Sequence, residues 1–433
     1  MIKLDEVSKH RTRICNKVDS SDVPNHWKVT NLGVINKYRP KTIRPLDFPD
    51  EIFEYYSIPA FQEQRGPKYV QGKQILSSKF LISNHTVLFG KLNPRILKVW
   101  LVDSTSKNRR IASTEFIPIC TDEDVESEFI YYLCHSDFVV LKAKRLVSGS
   151  TPSRQRVDRK SFSQIHVPIP PRSEQQAIAR ILKSVQETKA ARQREIELEH
   201  ERKTALMQHL FTYGIQGEIT KQTEIGEMPE SWQVTKLVDV SDIRYGLGQP
   251  PEFDRCGIPM VRATDIKKGR IVSGTIKCVR QDSVPKSRDP YLKKGDLLVV
   301  RSGAYTGDAA MYDGVWRTAI AGYDLVVSPM MAKINPEFLA FYILGETAQS
   351  YFRSQRDRSA QPHLNSKQLG ETHIPLPSLQ EQIEVKNVLQ ALERRILLLE
   401  TERDLFEELF NSMLEELMVG SLSTKLLIQA GMT

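Results

Sequence analysis

Cysteine is scarce in this 433-residue chain: five, at Cys15, Cys120, Cys134, Cys256 and Cys278, an odd number with no C-x-x-C pair. That excludes a disulfide scaffold and a zinc knuckle, and it fits a reducing cytoplasm. No run of about 18 apolar residues occurs, so nothing reads as a membrane span. Met1 to Arg13 is charged and lacks an apolar h-region, so no secretory signal is expected. Nine histidines are dispersed without an H-x-x-x-H pair, so no metal site is expected. There is no G-x-x-x-x-G-K-[ST] phosphate loop. Gly303-x-x-x-Gly307 beside Arg301 lacks the lysine and reads as a turn after a strand. The nearest nuclease-like spacing, Pro49-Asp50 followed by Glu63-x-Arg65, reads as a surface loop with ordinary carboxylates.

What remains is ordinary globular material, 40% hydrophobic and 26% charged. At roughly 100–200 residues per domain, the length implies two to four domains. The net charge of +8 is unevenly spread. Residues 1–170 carry +9, residues 171–221 +2, residues 222–370 +3 and residues 371–433 −6. Two basic-leaning blocks therefore alternate with a near-neutral and an acidic segment, which makes polyanion binding by the blocks plausible.

The chain repeats itself with a period near 205 residues. Pro24-x-x-Trp27-x-Val29-Thr30-x-Leu32 recurs as Pro229-x-x-Trp232-x-Val234-Thr235-x-Leu237. Glu128-Phe129-Ile130 matches Glu337-Phe338-Leu339. His166-Val167-Pro168-Ile169-Pro170 with Glu174-Gln175 recurs as His373-Ile374-Pro375-Leu376-Pro377 with Glu381-Gln382. Gly217-x-Ile219-Thr220 matches Gly420-x-Leu422-Ser423. Four matches in one order, with nearly constant offset, mark a duplicated unit too long to be a solenoid repeat. Between these anchors the halves share little.

After each Pro-rich stop a long helix is expected, from about Ser173 to Tyr213 and from Ser378 to about Val419, closed by glycine. Each would be about 60 Å long at 1.5 Å per residue. The second carries a heptad seam, Val385, Leu389, Leu392, Ile396, Leu399, Arg403, Phe406, Phe410, Met413 and Leu417. The first keeps the phase through Ile178, Leu182, Val185, Lys189, Arg192, Ile196, Glu199, Lys203, Leu206, Leu210 and Tyr213, with a polar middle. Two such helices in one duplicated chain are expected to pair with each other. The blocks before them read as mixed α/β. Strands are expected at Thr86–Phe89, Phe116–Ile119, Asp296–Val300 and Leu325–Val327, and single helices over Glu128–Leu141 and Glu337–Phe352.

This arrangement, a divergent block, then [Ile/Val]-Pro-[Ile/Leu]-Pro with Glu-Gln shortly after, then a long helix, all twice, resembles the DNA-specificity (S) subunit of type I restriction–modification systems. The resemblance spans essentially the whole chain. It implies two α/β target-recognition domains and a pair of long antiparallel coiled-coil helices, related by an internal pseudo-two-fold repeat. The boundaries expected are residues 1–170 and 222–376 for the recognition domains, and 171–221 and 377–433 for the helical regions. The resemblance also implies a cytoplasmic, non-catalytic chain that binds double-stranded DNA, two methyltransferase (M) subunits and restriction (R) subunits. S-adenosylmethionine, ATP and Mg would then sit on those partners, with no cofactor on this chain. Consistent with this, no Asn-Pro-Pro-aromatic methyltransferase signature occurs; Asn93-Pro94-Arg95 lacks the second proline and the aromatic.

Base edges are read by Arg and Lys at guanine and by Asn and Gln at adenine, so loops rich in these residues are the candidates. In the first block they are Lys91, Asn93 and Arg95 after a strand, then Lys107, Asn108, Arg109 and Arg110, and then Ser150, Thr151, Arg154 and Gln155. In the second they are Arg262, Thr264, Lys267, Lys268 and Arg270, then Arg301, Ser302 and Tyr305. Gln355, Arg356, Arg358 and Gln361 stand where Arg154 and Gln155 stand in the first. Two other readings remain open from the residues: a self-contained type IIG-like nuclease or methyltransferase chain, and a coiled-coil scaffold that binds no DNA.

Overall fold

A computed structural model of the chain describes residues 23–63, 66–149, 151, 154–248, 252–267, 269–285, 287–356 and 363–424. The chain divides into two compact units, one of Met1–Arg192 with Glu402–Thr433 and the other of Gln193–Thr401. Each unit therefore combines a mixed α/β block with one part of each long helix.

The repeated motifs explain how each unit closes. In the first, Lys28–Asn31 pairs antiparallel with His166–Ile169, setting Val29 opposite Pro168. In the second, Gln233–Lys236 pairs with His373–Leu376 in the same register, Val234 opposite Pro375. The Pro-x-x-Trp motif and the Pro-x-Pro motif are thus the two strands of one ribbon, built twice. Proline is tolerated there because each ribbon has only two strands, with an edge free of ladder bonds.

The Glu-Gln pair that follows is also structural. Gln175 is buried; its side chain accepts from the Glu126 amide (2.8 Å) and donates to the carbonyls of Pro170 (2.9 Å) and Asp124 (3.2 Å). Gln382 repeats this with the Asn335 amide (2.7 Å), Pro377 (3.0 Å) and Lys333 (3.1 Å). Glu174 accepts from the Trp27 indole (3.1 Å) and pairs with His26 (2.7 Å). Glu381 stands in the equivalent place facing Trp232, and burial pushes its carboxyl up.

Between ribbon and helix lie the divergent sheets. In the first unit Val87–Gly90 sits between Val99–Leu101 and Phe116–Ile119, beside a five-stranded sheet centred on Arg110–Ala112. In the second, Leu297–Val299 sits between Ala309–Met311 and Leu325–Pro329, with Ser241–Tyr245 at the edge. All four expected strands are present. The two single helices are not. Each is broken into a pair: Ser127–Leu133 with Asp137–Arg145, and Pro336–Leu344 with Glu346–Arg356. The break falls at Ser136, whose Oγ donates to the Leu133 carbonyl (2.8 Å), and at Gly345, which ends its helix. Local polar competition and glycine override the apolar period there.

The long helices run over Arg172–Tyr213 and Leu379–Met418. In each unit they lie antiparallel. In the first, Ile178 and Leu182 join Leu414, Leu417 and Met418 in one core with Phe129, Ile130 and Leu133. In the second, Met207 and Leu210 join Val385 and Leu389 in a core with Trp232, Phe338 and Leu339. Each fully buried aliphatic side chain contributes about 1.5–3 kcal/mol. The polar middle of the first seam is matched by charges on its partner. Lys189 pairs with Glu407 and Arg192 with Glu402 (2.8 Å) in the first unit. Lys203 pairs with Glu393 (2.5 Å) and Arg395 with Glu199 (2.7 Å) in the second. Partly exposed pairs like these contribute at most about 1 kcal/mol each, so they fix register more than stability.

The helix ends correct one anchor. Gly420 closes the second helix at φ 72°, and a Cβ there would lie 2.5 Å from Pro24 of the Pro-x-x-Trp motif. The residue in the equivalent place is Gly214, at φ 68° and packed on Pro229, rather than Gly217. Gly217 has nothing within 4 Å of such a Cβ. The sequence match aligned the wrong glycine because both follow the helix within four residues.

Candidate nucleic-acid interface

Two loops in equivalent places each gather a cluster of the candidate residues. In the first unit the chain leaves the strand Val87–Gly90 and turns through residues 91–97. The Lys91 amide donates to the Glu115 carbonyl (2.9 Å), and the Lys91 carbonyl accepts from Val157 (2.9 Å). The Asn93 amide donates to the Gln155 carbonyl (2.8 Å), and Leu92 bridges to Arg156. Lys91, Asn93 and Arg95 are thereby brought beside Thr151, Arg154 and Gln155; Arg95, Thr151 and Arg154 are exposed. Asn93 takes the left-handed conformation, φ 47°, which asparagine tolerates better than most residues. Its buried Oδ1 has no hydrogen-bond partner.

Lys98, absent from the candidates, holds this loop. It is 2% exposed, and its ammonium donates to the carbonyls of Leu92 (3.0 Å), Asn93 (3.1 Å) and Ile96 (2.7 Å). All three donors are satisfied. Burial lowers its pKa. A Cβ on Gly90 would lie 2.8 Å from the Lys98 Cβ, so the strand needs glycine opposite this lysine.

The second unit repeats the plan with other side chains. After Leu297–Val299, residues 303–307 form a turn with Gly303 and Gly307 both at φ 92°. The Arg301 carbonyl accepts from the Leu364 amide (2.7 Å), and Ser302 bridges to His363. The Ser302–His363 bridge stands where the Leu92–Arg156 bridge stands in the first unit. Arg301 Nη2 lies 3.3 Å from His363 Nε2, and its guanidinium sits 5.0 Å from the Tyr245 ring centroid. Tyr245 Oη accepts from the Ser366 amide (3.1 Å). Asp324, 3% exposed, accepts from the Arg301 amide (3.3 Å). Burial pushes its carboxyl up to about 6, against the pull of the Arg301 and Ala263 amides and the Arg301 charge. Burial and the neighbouring Arg301 charge both push the His363 imidazole down, toward the neutral form. Ser302 is exposed and Tyr305 is 63% exposed at the loop tip.

Other candidates have internal partners. Arg109 grips both carboxylate oxygens of Glu51, holding that carboxyl below its usual range, and stacks 4.1 Å from Phe48. Arg110 donates to the carbonyls of Ser104 (3.0 Å) and Ser106 (2.6 Å) and pairs with buried Glu54 (3.3 Å). Asn108 donates its amide to Ser106 Oγ (3.1 Å), and Lys107 is exposed in the same loop. Arg262 closes a capping box on Asp265 (2.9 Å), and Arg270 pairs with Glu400 (2.9 Å). Thr264 and Lys267 are exposed nearby. Arg356 ends the helix Glu346–Arg356. Ser150, Lys268, Arg358 and Gln361 lie outside the described residues. Among the described residues no group of three or more His, Cys, Asp or Glu could hold a metal ion, and no helix is long and apolar enough to cross a membrane.

The missed residues had faint signals. Lys98 interrupts the apolar run Ile96-Leu97-Lys98-Val99-Trp100, where a surface lysine is out of place. Tyr245 and His363 are far from Arg301 in sequence, and nothing local links them.

Fold and loops together define a duplicated chain that presents two different polar loops on one repeated scaffold. The family model for the type I restriction modification DNA specificity domain matches residues 24–200 and again 229–407, and the chain belongs to that family. It is 24% identical over 426 residues to the type I restriction enzyme MjaVIII specificity subunit of Methanocaldococcus jannaschii, covering 93% of this chain and 94% of that protein. It is 23% identical over 310 residues to the type I restriction enzyme EcoBI specificity subunit of Escherichia coli, covering 68% of this chain and 64% of that one. Among solved structures the fold is like that of the type I restriction–modification S subunit from M. genitalium, with a TM-score of 0.56 at 14% identity, covering 93% of this chain and 98% of that chain.

Proposed function

We propose that this chain is the non-catalytic specificity subunit of a type I restriction–modification enzyme, and that it reads an asymmetric target in two parts. The observation that carries this is the loop built twice on equivalent bonds with different side chains. Lys91, Asn93, Arg95, Arg154 and Gln155 face one half-site; Arg301, Ser302 and Tyr305 face the other. One backbone frame with two side-chain sets gives two specificities, since base-edge contacts, not phosphate contacts, carry sequence. Arg109, Arg110, Arg262 and Arg270 shape their loops through internal pairs.

Methyl transfer and cleavage belong to partner subunits, which hold S-adenosylmethionine, ATP and Mg. Two M subunits and the R subunits assemble on this chain, in the cytoplasm. The test is DNA binding by the chain with purified M subunits at rising salt, on target and on scrambled DNA. Affinity for both falls with salt as counterions are recondensed, and the target keeps a preference that the scrambled duplex lacks. Equal affinity for both at every salt concentration would contradict the reading.

A further inference from the structure

Each unit contains an open pocket, of about 360 Å³ in the first and about 380 Å³ in the second. The two occupy the same place in the repeat. Each lies between an edge strand of the sheet, the first short helix of the broken pair and one face of a long helix. Leu101 and Asp103 line the first where Met311 and Asp313 line the second. On the short helix Glu128 and Tyr132 correspond to Glu337 and Phe341.

Neither pocket is part of the loops assigned to DNA, and their charge is wrong for phosphate. In the first, Lys183 stands against the carboxylates of Asp103, Glu128 and Glu187, and it is already paired with Glu128 (3.0 Å). In the second, Arg270 is engaged with Glu400 and Lys203 with Glu393 (2.5 Å), which leaves Asp313 and Glu337 outside those pairs. Both pockets are therefore net negative on a chain whose overall charge is +8. Both have aromatic walls, from Trp100 and Tyr131 in one and from Trp316 in the other. Carboxylates above an aromatic wall favour a cation carried on an apolar stem, which is the chemistry of lysine and arginine side chains.

We infer that these two pockets are a duplicated protein-docking site, each receiving a lysine- or arginine-bearing segment of a protein partner, with one partner copy per pocket. The inference rests on the reading that protein subunits assemble on this chain, and it names where and by what chemistry they are held. Equivalent pockets in both units account for two like copies binding one chain. DNA is repelled by the same carboxylates.

The experiment uses the full chain and the M subunit of the same system, with native mass measurement of the complexes and titration of affinity. The chain itself should bind two M subunits. Asp103→Lys with Glu187→Lys should leave one, Asp313→Lys with Glu337→Lys should leave one, and the four together none, each affected site losing at least tenfold in affinity. Should these reversals impair folding, judged by the thermal unfolding midpoint, Asp103→Asn with Asp313→Asn keeps shape and size. It should weaken M binding several-fold and reduce its salt dependence. Folded variants that still bind two M subunits with unchanged affinity would overturn the pocket assignment and leave the partner reading standing. A chain that binds no M subunit before any substitution would overturn both.

Discussion

Gln382 offers a sharp test of how the repeat is held. Its side-chain amide satisfies three backbone groups at once: the Asn335 amide, and the carbonyls of Lys333 and Pro377, the last of them buried. Gln382→Leu keeps much of the volume and removes all three bonds. At about 1 kcal/mol net per hydrogen bond, the loss is about 3 kcal/mol, and more where water cannot reach the orphaned groups. Gln382→Glu separates acceptor from donor. Its carboxylate still accepts from Asn335 but faces two carbonyl oxygens it cannot bond unless protonated. The folded state would then hold the glutamate proton more tightly than the unfolded chain. The penalty should be smallest below about pH 4.3, the ordinary glutamate value, and grow as pH rises through the higher folded value. The assay is guanidinium unfolding followed by tryptophan fluorescence, with Trp232 fully buried in the same unit. A Gln382→Leu variant within about 0.5 kcal/mol of the parent, the range of neutral surface changes, would refute the claim that this glutamine holds the unit together.

Four further outcomes follow from the same geometry. Asp324 has a folded value near 6 against an ordinary 3.8, so stability should decline as pH rises from about 4 through 6. Asp324→Asn should flatten that slope and add up to about 3 kcal/mol above pH 6, measured by chemical unfolding across pH. Lys98→Met should leave three carbonyls of the 91–97 loop without their ammonium donor and weaken recognition of one half-site, read as a relaxed methylation motif on that side only. Arg301→Ala should cost about 1–3 kcal/mol of DNA affinity and relax one position of the other half-site. If Arg301 contacts phosphate, binding weakens on all sequences and the log–log salt slope shrinks by about one. In the first long helix between Gln186 and Thr204, a four-residue insertion should preserve methylation and a two-residue insertion abolish it. The first adds nearly a turn, whereas the second turns the downstream seam by roughly 200°.

The scaffold was legible in the sequence to the extent that its parts recur. Trp27 and Trp232, the Pro-x-Pro strands and the seam residues Ile178, Leu182, Val385 and Leu389 do the same physical task twice, so similar residues stand at similar spacing. The broken helix pairs were hidden because apolar residues keep recurring at helical spacing on both sides of Ser136 and Gly345, as in Phe129, Leu133 and Val140 and in Phe338, Phe341, Ala348 and Phe352. Glycine identity was ambiguous at the helix end, where only packing against Pro229 separates Gly214 from Gly217. The loops were legible in composition alone. Arg95 and Arg109 look alike in the chain, and only the arrival of Glu51 and Phe48 from some sixty residues upstream marks Arg109 as an internal pair. Long-range partners decide which cation is available, and a local window does not contain them.

The most direct test of the central claim is sequencing of methylated DNA from cells that carry this chain with its M subunit, compared with cells that carry the M subunit alone. The account predicts one motif, present only with the chain, made of two different half-sites separated by unspecified bases. A palindromic motif, an uninterrupted one, or the same methylation without the chain would contradict it.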